Sequence, residues 1–324
     1  MSEPNRPAVP PAGAALGATV ETDWLAAHLF HQGDIDRMLV GLVAPLEHEL
    51  TAERLIDGWF FLRYWEGGNH VRLRLLVPDG SARDRVRELV TARGEEYFRR
   101  NPSPELLHPE QYRRIAADLA GAENLSGYAT ELYPNDSVVF LPYRREHDRY
   151  GYGTAMEAVE RHFMDSSRIA LDLLTRRLTA QQRDSVCFSL MLLAWFGGEP
   201  DLGRLREWRD LLHTSWADRF ELLGGAGGVV QDEFAELFAR RRERLVGLSR
   251  KLRAFSCSEQ TDTPLAAWAR SIARLCAARY APALPVLDIC VHLLCNRLGI
   301  SPPGEVYLRY LATRCLDVLA EEGW

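Results

Sequence analysis

The chain reads as an α+β protein, with a sheet-bearing first half and a helical second half. Three observations carry that reading. Between Trp24 and Tyr133, extended and helical patterns follow in the order strand, helix, strand, strand, helix, strand. That is the split βαβ order of a ferredoxin-like antiparallel sheet. Beyond Tyr152, apolar residues recur at three- and four-residue spacing through seven successive segments, the mark of helices with one buried face. No internal repeat and no glycine-rich phosphate loop stands out. Gly224-Gly225-Ala226-Gly227-Gly228 follows a helical pattern instead of a strand and suits a linker.

Taken in order, residues 1–20 carry Pro4, Pro7, Pro10 and Pro11 among alanines and glycines, which predicts a disordered leader segment. The sheet-bearing half is expected over 21–152 and the helical half over 153–324, the two packed as one unit. Trp24 to His31 reads as a strand, and Asp34 is placed to cap a helix running to about Leu50. A hairpin spans Trp59–Val77, a helix follows over roughly 82–100 and a short one near 109–120, and Gly127–Tyr133 reads as extended. The second half reads as helices over 153–177, 181–196, 202–222, 231–254, 265–278, 285–298 and 303–319. The breaks fall at Gly197-Gly198-Glu199-Pro200, Gly224–Gly228 and Ser256–Pro264.

The hairpin organises the rest. In WFFLRYWEGGNHVRLRLLV, the residues Glu66-Gly67-Gly68-Asn69 form the turn. Period two puts His70, Arg72 and Arg74 on one face of the second strand, while Arg63 and Trp65 share a face of the first. A patch of guanidinium and imidazole groups on a rigid sheet suits carboxylates or carbonyl oxygens. The same pattern also describes a solvated strand face with cross-strand partners.

At 324 residues, with 47% apolar and 26% charged residues, the composition is that of a globular protein with a sizeable core. The net charge of −6 gives no sign of a nucleic-acid binder. Lys251 is the only lysine, a bias with little functional weight. The cysteines Cys187, Cys257, Cys276, Cys290, Cys295 and Cys315 sit in apolar stretches without a CxxC pair. They read as reduced thiols of a cytoplasmic protein, not as disulfides or a zinc site. No apolar run reaches membrane-spanning length, and no signal-peptide order opens the chain.

Three further clusters hold candidate chemistry. PYRREHDRYGYG brings Glu146, Arg149 and Tyr152 into one charge-dense loop. The next helix carries Glu157 and Glu160 on one face, with Ser166 and Ser167 about two turns on. VHLLCNRLG sets His292 in an apolar helix with Asn296 one turn later. Each has an ordinary alternative: a surface ion pair, solvated helix faces, a hydrogen-bonded core histidine.

In their joint order, WLAAHLF, FFLRYWEGGNHVRLRL, PYRREHDRYGYG, MEAVERHF with its serine pair, and VHLLCNRLGISPPGE resemble the thiopeptide-type bacteriocin biosynthesis family. That family is related to the elimination domain of lantibiotic dehydratases, and the resemblance spans about residues 24–320. It implies an enzyme acting on a ribosomally made precursor peptide with a leader, without metal or other cofactor. One branch eliminates glutamate from glutamylated Ser or Thr to leave dehydroalanine or dehydrobutyrine. The residues that matter there match Arg74, Glu146, Arg149 and His292. The other branch contains stand-alone pyridine synthases, which join two dehydroalanines in a formal aza-[4+2] cycloaddition. Loss of water and of the leader as an amide then aromatises the ring and closes the macrocycle.

Elimination domains carry Gly-Gly where this chain has Gly151-Tyr152, and favour an Asp-Ser pair where it has Ser166-Ser167. The resemblance therefore leans to a pyridine synthase. In the role set that follows, His292 and Tyr152 handle protons and Arg72, Arg74 and Arg149 bind oxygens. Glu146 orients the arginines, and His70, Arg63, Ser166, Ser167 and Asn296 bind substrate. Alternatives are glutamate elimination and a non-catalytic leader-peptide carrier. The leader is expected in a groove of the N-terminal half, at an exposed sheet edge or an apolar surface. Oligomeric state is not readable, and neither nucleic acid nor membrane is expected as a partner.

Overall fold

The computed structural model describes residues 23–103, 107–122, 125, 127–208, 227–256, 263–278 and 284–323. The expected leader segment at 1–20, most of the helix expected at 202–222, and Cys257 lie outside them.

Four strands form one antiparallel sheet in the order β2-β3-β1-β4. They are β1 (Trp24–Phe30), β2 (Gly58–Tyr64), β3 (His70–Leu76) and β4 (Ser137–Phe140). This is the split βαβ order: β1 lies between β3 and β4 and runs antiparallel to both. The β2–β3 turn needs its glycines. Gly67 and Gly68 sit at φ 77 and 113, and a Cβ on Gly67 would lie 2.5 Å from the Tyr133 ring.

β4 corrects the sequence reading, which placed the last strand at 127–133. Tyr133 N donates instead to Gly67 O at 2.8 Å, and its ring stacks on Phe30 at 4.7 Å. That segment therefore closes over the hairpin tip. The pairing strand begins after the turn Pro134-Asn135-Asp136, where Asp136 has φ 53, a turn sequence the periodicity argument read past.

The first helical segment runs from Ile35 to Ala52 as α1 (Ile35–Met38), a π turn (Leu39–Val43) and α2 (Ala44–Ala52). Asp34 caps it by accepting from Arg37 N at 3.1 Å. The π turn has a local cause: Pro45 has no N–H for the Gly41 carbonyl, and its ring crowds that turn. α3 (Arg83–Arg100) packs on β1, β4 and the π turn, and α4 (Pro109–Ala122) follows. All seven residues of β1 are buried, so the sheet is covered on both faces.

The short α5 (His147–Tyr150) leads into α6 (Thr154–Thr175), which packs along β2. α7 (Ala180–Gly198), α8 (Gly227–Ser256), α9 (Pro264–Ala277), α10 (Leu284–Arg297) and α11 (Pro302–Glu321) follow, with helical backbone also at 202–208. α7 is the hub, in contact with α8, α9, α10 and α11. Its run Cys187–Phe196 is buried on all sides, as its near-continuous apolar sequence requires. Cys187, Cys290, Cys295 and Cys315 are buried free thiols and Cys276 is half-buried. No helix among the described residues is long and apolar enough to cross a membrane.

Candidate functional site

The strand register puts His70, Arg72 and Arg74 on the same face, with His28 and Phe30 from β1 beside them. The face is not solvated. Arg72 pairs with Glu66 at 2.9 Å and lies 3.4 Å over the Tyr64 ring. His70 is fully buried and stacks on His28 with centroids 4.9 Å apart. Its Nδ1 donates to Gly68 O at 2.8 Å, so Nε2 is the acceptor, with no partner among the described residues. Burial and Arg72 push its pKa down to about 3, against the opposing Gly68 bond. His70 is thus a neutral packing element, which corrects its reading as a substrate ligand.

Arg74 differs from its neighbours. It is 8% exposed, its Nη1 donates to His28 Nε2 at 3.2 Å, and its guanidinium lies 5.3 Å from the Tyr143 ring centroid. Burial and Arg72 lower its pKa to about 9, so it stays cationic at neutral pH. It has no carboxylate partner among the described residues. A buried charge left without a counter-ion is costly. It is also a guanidinium whose remaining donors are available to an oxygen of a ligand.

The loop before α6 divides in two. Tyr143 and Arg145 turn inward to buried Glu160: Tyr143 Oη donates at 3.1 Å, while Arg145 Nε and Nη2 each donate at 2.7 Å. Helical spacing places Glu160 on its face of α6, and only the fold of the loop brings Tyr143 and Arg145 to it. Glu146 and Arg149 form a 2.9 Å ion pair with side chains 59% and 50% exposed. Tyr152 is 70% exposed and stacks on His147 at 4.5 Å. Glu146 thus engages Arg149 at the surface.

Ser166, Ser167, Arg63 and Asn296 serve a different purpose from the one expected. β2 is an edge strand, and its outward backbone groups are capped by side chains of α6 and α10. Phe61 N donates to Ser167 Oγ at 3.1 Å, and Phe61 O accepts from Arg297 Nε at 2.9 Å. Asn296 pairs with Arg63 as another strand would, accepting from its N at 3.0 Å and donating to its O at 2.9 Å. Arg63 also holds Asp36 and the Arg297 carbonyl. Arg297, fully buried, donates to Ser167 Oγ at 3.0 Å and Ser166 Oγ at 3.2 Å. These hydroxyls close a sheet edge against water. They are not available to a substrate.

His292 is not walled off in hydrocarbon. Its side chain is 35% exposed, and its Nδ1 sits 2.8 Å from Glu305 Oε2. Burial alone would raise the Glu305 pKa, but His292 and Arg309 outweigh it and hold the carboxyl at about 2. A permanent carboxylate can only accept, so Nδ1–H is the donor. Arg309 Nε donates to Glu305 Oε1 at 2.9 Å and its Nη1 to Asp288. Buried Glu305, not among the residues expected from sequence, is what orients the histidine.

The structure therefore places the expected residues in four settings: the buried sheet face, the exposed 146–152 loop, the capped β2 edge and the His292–Glu305 pair. A cleft of about 430 Å³ between the first helical segment and α3, and one of about 240 Å³ between α6 and α9, are lined by other residues.

A family model described as the C-terminal part of lantibiotic biosynthesis dehydratases matches residues 24–316. Among solved structures, the fold is similar to the pyridine synthase TbtD from thiomuracin biosynthesis, at TM-score 0.76 and 18% identity. That similarity covers 93% of this chain and 99% of TbtD. TsrL is similar at TM-score 0.61 and 17% identity, over 94% and 96% of the two chains. The tRNA-dependent lantibiotic dehydratase MibB from Microbispora sp. 107891 is similar at TM-score 0.57 and 20% identity, over 97% of this chain but 29% of its own. No curated protein matches.

Proposed function

Because the chain belongs to the lantibiotic biosynthesis dehydratase C-terminal family, we propose that it is a pyridine synthase acting on a dehydrated precursor peptide. It joins two dehydroalanines in a formal aza-[4+2] cycloaddition, then releases water and the leader as an amide. The observation that carries this reading is Arg74, a buried guanidinium with no carboxylate of its own. It suits an amide oxygen that gains negative character as the backbone amide moves to its imidic-acid form. His292, aligned by Glu305, supplies a base and then an acid for the proton steps that lead to loss of water. Bringing two alkenes of one flexible peptide together supplies much of the remaining rate. The similarity in fold to a pyridine synthase, at TM-score 0.76, supports cyclisation.

Glutamate elimination is the second reading, favoured by the same arginine: an uncompensated guanidinium also suits the carboxylate of a leaving glutamate. The leader is assigned to the N-terminal half. With the β2 edge capped, strand addition there would use the half-buried β4 edge. Incubation with a leader-bearing dehydroalanine peptide, followed by mass spectrometry, tests the reading: cyclisation releases water and an intact leader amide. Loss of glutamate from a glutamylated peptide alone would establish elimination.

A further inference from the structure

We propose that His28 is the positioning residue of Arg74: a neutral imidazole that accepts from one guanidinium N–H and so fixes the fork without consuming its charge. The proposal rests on the reading of Arg74 as the oxygen-binding group.

Arginine cannot accept a hydrogen bond, so in the 3.2 Å contact between Arg74 Nη1 and His28 Nε2 the imidazole must accept. His28 therefore carries its proton on Nδ1 and is neutral whenever the contact exists. Everything around the ring enforces this. His28 is 4% exposed, and Arg74 and Arg72 approach it from β3, where Arg72 is its direct cross-strand partner. His70 stacks on it. Burial first, then Arg74, His70 and Arg72, drive its pKa well below the ordinary imidazole value. The acids nearby are committed elsewhere, Glu66 to Arg72 and Glu160 to Arg145 and Tyr143.

A carboxylate at position 28 would hold Arg74 as firmly but neutralise it. A leucine would remove the acceptor and leave the guanidinium over the Tyr143 ring without it. A neutral acceptor avoids both outcomes. Protonating His28 would abolish its acceptor and set a second cation against Arg74, so substrate grip should weaken in acid.

The test has two arms. The first is ¹⁵N NMR of the histidine-labelled protein across pH 5–8, with His28→Gln used to assign the signal. The expected result is an Nδ1–H ring that does not titrate in this range and that changes in Arg74→Met. An Nε2–H tautomer, or titration at an ordinary value, overturns the proposal whatever reaction the protein performs. The second arm is turnover. His28→Leu should lose about 10- to 100-fold in kcat/KM, the worth of one hydrogen bond to a charged group, while His28→Gln, which keeps an acceptor, recovers most of it. In binding of the dehydroalanine peptide, His28→Leu on top of Arg74→Met should cost nothing further. Full activity in His28→Leu, or additive losses in the double variant, would overturn the inference. A wild-type protein inactive on dehydroalanine peptide while the NMR result holds would instead overturn the assigned reaction.

Discussion

Acid should destabilise this fold well before its carboxylates titrate. His70 and His162 are both buried and held at about 3, in each case by burial first and then by a nearby arginine. His28 is displaced in the same direction. All three folded-state values lie below the unfolded value of 6.5, so the native chain holds fewer protons than the unfolded one. The stability they confer is complete above pH 6.5 and is lost as pH falls toward 3. At pH 5.5 an unfolded histidine gains about 1.4 kcal/mol from its proton, against under about 0.1 kcal/mol at pH 7.5. Three such groups give a loss of about 4 kcal/mol, a large share of the 5–15 kcal/mol by which a typical domain is stable. Urea unfolding at pH 7.5 and 5.5, followed by circular dichroism, measures it. His162→Gln, which keeps a polar partner for Ser271, should reduce the loss by about a third. A change below about 1 kcal/mol in the wild type, or an unchanged slope in the variant, would refute the claim that these rings are buried neutral.

Other expectations follow from the same geometry. Arg74→Met should abolish turnover while leaving stability unchanged or higher, because it removes a buried charge with no counter-ion; denaturation curves beside the activity assay check this. Asn296→Ala should cost about 2 kcal/mol and speed hydrogen exchange along β2, since the Arg63 amide and carbonyl lose their partner. Ser166→Ala should cost about 1 kcal/mol with little change in rate, its hydroxyl serving Arg297 and not the substrate. Glu305→Gln should cut kcat at least tenfold by loosening His292, and should destabilise through Arg309.

Much of the fold was legible because periodicity survives without knowledge of partners. The hairpin, the helix after it and the helical second half fall where period two and period 3.6 place them. Sharing of a face by His70, Arg72 and Arg74 was equally legible. The burial of His70 and Arg74 was not, since it depends on Tyr133 and Tyr143 folding back from distant loops. His28 was hidden for the same reason: only the register with β3 brings it to Arg74. Glu305 reads in sequence as an acid favourable at a helix start, and its service to His292 depends on how α11 turns back on α10. Ser166 and Ser167 could have been read correctly. They share three- and four-residue spacing with Ala170, Leu171, Leu173 and Leu174, all buried on the face of α6 turned to the core.

The assigned chemistry stands or falls on one mass balance. Purified protein mixed with a leader-bearing peptide containing two dehydroalanines should yield a product lighter by water and the entire leader, with the leader recovered as its amide, and Arg74→Met should yield neither. An unchanged dehydroalanine peptide, alongside a glutamylated peptide that loses glutamate, would contradict it.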